Sequence, residues 1–341
     1  MKAPDPEKRL HREDSPIMFT VRFDMRAPET GAPVSEVYAT ALDMAEWGEN
    51  NGCLAATLCE HHSSDDGYLP SPLILASAMA ARTKKLPLAI AIFMLPMYDP
   101  VKLAEDMAVL DIISGGRVSY VGGIGYVPYE YEMFGTDFTK RGRMAEEKLD
   151  LLLKIKGGDE VIHEGRRIKV TPAPVTPGGP VVGWGGGSPP AARRAGKHGL
   201  MFMAQSDDPQ LRVIYEAACR ENGHEPGLCM LPPRDAPTTT FVAEDVDAAW
   251  EEIGSYIMHD VLTYAKWNEG REDVASISFA KTAEELRAQN ATHRIMTVEQ
   301  AVEHVRGGSP LSLLPLAGGM PAELAWKYLR VISDKVMPQL G

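Results

Sequence analysis

Residues able to do chemistry fall at five points of the sequence: Phe23-Asp24-Met25-Arg26, Glu60-His61-His62, Phe93-Met94-Leu95-Pro96, Gly122 through Tyr126, and Gly185-Gly186-Gly187-Ser188. The last can bind an anion. Its glycines let the backbone turn tightly, a helix is expected to start at Pro189, and unpaired amides at that helix end converge with the Ser188 hydroxyl where a phosphate can sit. The same four residues also suit a plain tight turn in which Ser188 caps the helix. Arg193 and Arg194 either add charge to the cradle or lie solvated on the helix. The run lacks the GxxxxGK[ST] of a Walker loop and is not a GxGxxG after a first strand.

Glu60-His61-His62 carries two imidazoles, but adjacent residues at a strand end point opposite ways, so they do not chelate one ion together. No HxH or HExxH accompanies them, and no metal site is expected. One imidazole turned into a site can act as acid, base or hydrogen-bond donor near neutral pH. The alternative is a histidine satisfied by neighbouring loops. The other seven histidines are scattered and form no pattern.

These points recur because short β-rich runs alternate with helical stretches. Strands are expected at 18–23, 54–59, 87–93, 117–121, 181–184, 200–204, 238–242 and 311–316. Helices are expected at 35–50 with Ser35 as N-cap, 72–82, 100–113 behind Asp99, 139–156, 189–198, 207–222, 246–256 and 321–336. Eight βα units predict an α/β fold, a (β/α)8 TIM barrel with insertion loops, whose ligands bind where the strands' C-terminal ends meet the following loops. Residues 17–341 then form one domain with excursions at 157–180 and 258–294, the second a lid, while residues 1–16 form a flexible arm.

The chain has 341 residues, 44% hydrophobic, with 35 Lys+Arg against 47 Asp+Glu. That is enough for a large core and excludes a disordered chain. A net charge of -12 with no basic patch argues against nucleic acid or an anionic membrane surface as partner. Cys53, Cys59, Cys219 and Cys229 lack CxxC spacing and read as buried, reduced thiols. No apolar run approaches the roughly 18 residues of a membrane span, and the first residues are charged, so a cytoplasmic protein is expected.

Three ordered stretches resemble the bacterial luciferase-like, flavin-dependent monooxygenases and reductases. The first runs from Cys59 to about Leu152, through Glu60-His61-His62, Leu95-Pro96, Asp99-Pro100, Ser114-Gly115-Gly116-Arg117 and Phe134-Gly135-Thr136. The second is Gly186-Gly187-Ser188 with Arg193 through Leu200, and the third is Leu314 through Pro321. The resemblance implies a TIM barrel with a flavin at the strand C-termini, its phosphate near Gly186, Gly187 and Ser188, and His61 beside the ring. It also implies a cis peptide joining Ala91 and Ile92 beneath the flavin, with Gly123 and Tyr126 against the cofactor. Luciferases bind phosphate with an arginine after the fourth strand; Ile124 stands at the matching position, so other groups must take that role.

The function expected from this resemblance is a two-component monooxygenase using reduced FMN from a flavin reductase and O2 to oxygenate a small-molecule substrate. His61 is its catalytic residue, and Met25, Tyr68, Met94, Tyr129 and Trp267 are candidate substrate-binding wall residues. A deazaflavin F420-dependent oxidoreductase transferring hydride is the alternative, and a non-catalytic flavin-binding subunit a further one. Analogy with the family suggests a homodimer.

Overall fold

A computed structural model describes residues 18–271 and 274–340. The expected N-terminal arm, residues 1–16, lies outside the described residues. Among these, no helix is long and apolar enough to cross a membrane.

The first half follows the predicted beat closely. It runs β1 (Phe19–Phe23), α1 (Val34–Asn50), β2 (Cys53–Leu58), α2 (Pro72–Arg82), β3 (Leu88–Met94), α3 (Pro100–Ser114), β4 (Val118–Gly123), α4 (Pro128–Met133) and α5 (Arg141–Ile155). Local chemistry sets several bounds. The Asp99 side chain accepts from the amides of Val101 and Lys102 to start α3, and Gly115 ends it in the left-handed region at φ 66°. Arg117 then donates to the carbonyls of Ala80, Thr83, Leu86 and Ser114, locking α2, α3 and β3 together at the end of the barrel away from the site. The Ser114-Gly115-Gly116-Arg117 motif is thus architectural. Ser35 lies inside α1, whose N-cap is Pro33: the fixed φ of proline starts the helix two residues earlier than serine capping suggested.

After the antiparallel hairpin β5 (Val161–His163) and β6 (Arg166–Ile168) come β7 (Val181–Gly185), α6 (Pro189–Lys197), β8 (Phe202–Met203), α7 (Gln210–Glu221) and β9 (Cys229–Met230). The chain continues through β10 (Thr239–Val242), α8 (Val246–Trp267), α9 (Ala283–Gln289), β11 (His293–Met296), α10 (Val298–Arg306), β12 (Leu311–Leu313) and α11 (Ala322–Val331). Eight parallel strands form one curled sheet in the order β12-β1-β2-β3-β4-β7-β8-β9, and β10 pairs in parallel with β11. This is a TIM-barrel-like wall.

The second half departs from the sequence reading in two places: β9, which was not expected, takes the position beside β8 in the curled sheet, and the region after β10 holds more regular structure than expected. The helix expected to stop at Tyr256 runs on to Trp267, and residues 293–306 form a further strand and helix. Two turns of α8 therefore overhang the barrel mouth and bring Asp260, Tyr264 and Trp267 to it. β11 takes the edge of β10 that the sequence reading left for a barrel neighbour.

Candidate active site

The strand C-termini and their loops enclose a cavity of about 950 Å³, near the upper end of the roughly 300–1,000 Å³ typical of ligand sites. It is lined by His61, Tyr68, Ala91, Ile92, Met94, Gly123, Tyr126, Gly186, Gly187 and Ser188, which the sequence reading singled out. Met25 is instead buried in the core at φ 61°, and Tyr129 and Trp267 are not among the lining residues.

The floor depends on small residues. The Ala91–Ile92 peptide is cis. The Ile92 side chain lies between β4 and β7: a Cβ on Gly123 would come within 2.6 Å of its Cγ2, and one on Gly185 within 2.4 Å of its Cδ1. Glycine at both positions gives Ile92 its place. Gly186, at φ 142° and with Ala191 2.9 Å from any Cβ it might carry, must also be glycine.

The expected anion cradle at Gly186-Gly187-Ser188 is present with fewer donors than the sequence suggested. Pro189 and Pro190 have no amide hydrogen, while Ala191 and Ala192 donate to the Ser188 carbonyl. What remains is the Gly187 and Ser188 amides, without backbone partners among the described residues, and the Ser188 hydroxyl, which makes no cap bond. Two cations missed as a pair supply the charge. Arg141 lies 3.8 Å over the Phe138 ring, with its Nε buried and unpartnered. Arg194 is held by Glu146 at 2.8 Å and by the Gly142 carbonyl at 2.9 Å. Both line the cavity. Ile124, which also lines it, offers no charge, and a phosphate fits this donor set.

His61 is held on every side but one. Its Nδ1 is 2.8 Å from Oε1 of Glu130, and the same oxygen accepts the His62 amide at 2.9 Å. Its ring lies edge-on to Tyr68 and Tyr126 and against Trp267, while Nε2 has the Tyr126 hydroxyl 3.5 Å away. His62 turns the other way, to Glu60 at 2.8 Å, whose second oxygen accepts from Tyr98. Burial pushes the Glu60 carboxyl up from its ordinary range. Among the described residues no group of His, Cys, Asp and Glu is arranged to hold a metal.

Behind the aromatic wall lies a buried ion network that the sequence did not reveal, because its members come from β1, the loop after β2, α8 and β11. Arg26 is enclosed by Asp66 at 3.2 Å, Asp24 at 3.5 Å and Asp260 at 3.7 Å, and by the faces of Tyr68, Tyr264 and Trp267. Asp260 also takes Arg22 at 3.2 Å and His293 at 2.9 Å. Burial opposes the charge on Asp260, yet Arg22, His293 and Arg26 hold it well below the carboxylate range. Burial pushes the Tyr264 hydroxyl up to about 12, so it stays protonated, 2.8 Å from the Tyr68 hydroxyl. Cys59, expected to be buried, borders the cavity as a thiol whose ionisation burial disfavours.

The sequence profile of the luciferase-like monooxygenase family matches residues 17–309. The chain is 31% identical over 121 residues to the 4-hydroxyprotoasukamycin monooxygenase of Streptomyces nodosus subsp. asukaensis, spanning 36% of this chain and 33% of that one. It covers from 33% to 56% of the length of the curated relatives it matches. In fold it resembles the FMN complex of the oxygenating constituent of 3,6-diketocamphane monooxygenase from Pseudomonas putida. That likeness has a TM-score of 0.69 and 19% identity over 96% of this chain and 99% of that one. The coenzyme F420 dependent tetrahydromethanopterin reductase of Methanopyrus kandleri has a similar fold, with a TM-score of 0.63 and 15% identity over 96% of this chain and 100% of that one.

Proposed function

The chain belongs to the luciferase-like monooxygenase family, and from that premise we propose that it is an FMN-dependent monooxygenase of the two-component type. It takes reduced FMN from a separate reductase and uses O2 to oxygenate a small organic substrate. The observation that carries this reading is a single cavity that joins an anion cradle at Ser188 and Arg141 to the bare Nε2 of His61. When bound, reduced FMN supplies the electrons that activate O2.

The chain's own residues do the rest. The Gly187 and Ser188 amides, the Ser188 hydroxyl and Arg141 hold the phosphate. Ala91, Ile92 and Gly123 form the floor under the ring, and Tyr68 and Met94 bound the substrate space. His61 takes up and returns a proton at Nε2, with the Tyr126 hydroxyl beside it. The overhanging end of α8, with Tyr264 and Asn268, excludes water, and residues 274–278, which also line the cavity, act as the lid.

The F420 reading remains the second one, supported by the fold likeness to an F420 enzyme. The monooxygenase name of the curated relative favours the first. We also propose a homodimer, supported by Ile74, Val109, Ile112 and Ile113 exposed on α2 and α3. Oxygen uptake with FMN, NADH and a flavin reductase, run across a panel of small ketones, aldehydes and aromatics, tests the activity. A substrate-dependent oxygenated product supports it; hydride exchange with F420 and no oxygenation of any panel member rejects it in favour of the second reading.

A further inference from the structure

Glu130 was not a candidate in the sequence, and nothing about its type or spacing marked it. In the structure it is fully buried on α4, with no cation among its hydrogen-bond partners and Oε2 without any partner among the described residues. Its whole polar engagement passes through Oε1, which meets His61 Nδ1 at 2.8 Å and the His62 amide at 2.9 Å.

The roles in that pair follow from the donors. An amide N–H only donates, so Oε1 is an acceptor toward His62. The same oxygen presents a lone pair to Nδ1 as well, both in a carboxylate and in an acid whose hydrogen sits on Oε2. His61 Nδ1 then carries the hydrogen, and the lone pair of the neutral imidazole is at Nε2. That nitrogen has the Tyr126 hydroxyl as its neighbour at 3.5 Å and borders the cavity. Tyr126 lies just before α4 and Glu130 in its first turn, so a single segment places one group at each ring nitrogen.

We infer that Glu130 is a positioning residue that fixes neutral His61 as the Nδ1–H tautomer, leaving Nε2 bare toward the cavity so that its first act is to accept a proton. This rests on the proposed function for the meaning of that proton, but the tautomer is a property of the chain alone. A carboxylate that served only to tie α4 to the loop after β2 would do so through the His62 amide and leave the tautomer unset.

The test is the ring 15N spectrum of the flavin-free, full-length protein carrying 15N-histidine, above the pH at which His61 is protonated. The His61 signals are identified by their loss in His61→Gln. The expected result is a protonated Nδ1 and a bare Nε2. Glu130→Gln keeps that tautomer, because the amide oxygen still accepts from both donors. Glu130→Leu loses it, and kcat falls by about 10²-fold with the affinity for FMN retained. A protonated Nε2 in the wild-type protein overturns the inference without any variant, and so does an unchanged tautomer in Glu130→Leu. Failure of FMN to bind would sink the proposed function and leave the tautomer result standing.

Discussion

The indole of Trp267 lies against the imidazole of His61, with 4.2 Å between ring centroids and 30° between planes, and donates from Nε1 to the Tyr129 hydroxyl at 2.8 Å. The last turn of α8 is thereby tied to the start of α4 across the mouth of the cavity. Trp267 covers the histidine from outside, which explains why it does not line the space in which ligands sit.

Trp267→Ala removes that cover. The expected outcome is water at His61 and a fall in product formed per O2 consumed, with hydrogen peroxide making up the difference, while FMN affinity stays within a few-fold. Unchanged coupling would show that the indole does not seal the site.

Gly123→Ala places a methyl group against Ile92. Ile92 must then move into the cavity or strain, at about 1–3 kcal/mol, the usual range for overpacking. A lower melting temperature and weaker FMN binding are expected together. Adding Ile92→Ala relieves the clash, so the double variant melts above the sum of the single losses.

How much of this was readable in advance depends on where each signal lies. β1 to β4 and β7 lie within a residue or two of their expected positions, since buried parallel strands are continuous apolar runs flanked by turn residues. The extension of α8 was missed because Met258 to Trp267 mixes charged and aromatic side chains, with Asp260 buried in an ion network beside the core residues Met258 and Val261. α10 could have been found: Thr297 and Gln300 form a capping box, legible as a threonine with a glutamine three residues later. His61 and the Gly186 turn were visible as motifs. Arg194 was visible as a charge that could reach the cradle, but Arg141, Glu130 and the ion network around Arg26 were not, because only the fold brings their partners from distant segments.

Arg141→Ala removes a cation from the lining of the cavity that contains the Ser188 cradle. A hydrogen bond to a charged group contributes about 1.5–3 kcal/mol, so FMN affinity is expected to drop by roughly ten- to a hundredfold. Riboflavin, which has no phosphate, is expected to bind the variant and wild type alike. Equal losses for both flavins would place the phosphate elsewhere.

Burial alone would raise the Asp66 carboxyl, but the bond from His259 and the charge of Arg26 hold it down at about 2. A carboxylate depressed in the folded state contributes stability above its unfolded pKa and loses it as pH falls through the folded one. Unfolding midpoints are therefore expected to fall between about pH 4 and pH 2. Asp66→Asn, less stable at neutral pH with Arg26 poorly compensated, is expected to show a flatter profile over that window.

The central claim is that one cavity holds a flavin by its phosphate beside His61. Anaerobic titration of the purified protein with reduced FMN, with riboflavin and F420 in parallel, tests it most directly. The account predicts saturable binding of reduced FMN that is at least tenfold tighter than riboflavin, the low end of the range that a hydrogen-bonded charge contributes, and that weakens in Arg141→Ala. Binding of neither FMN nor F420, or FMN binding that is indifferent to both the phosphate and Arg141, would contradict it.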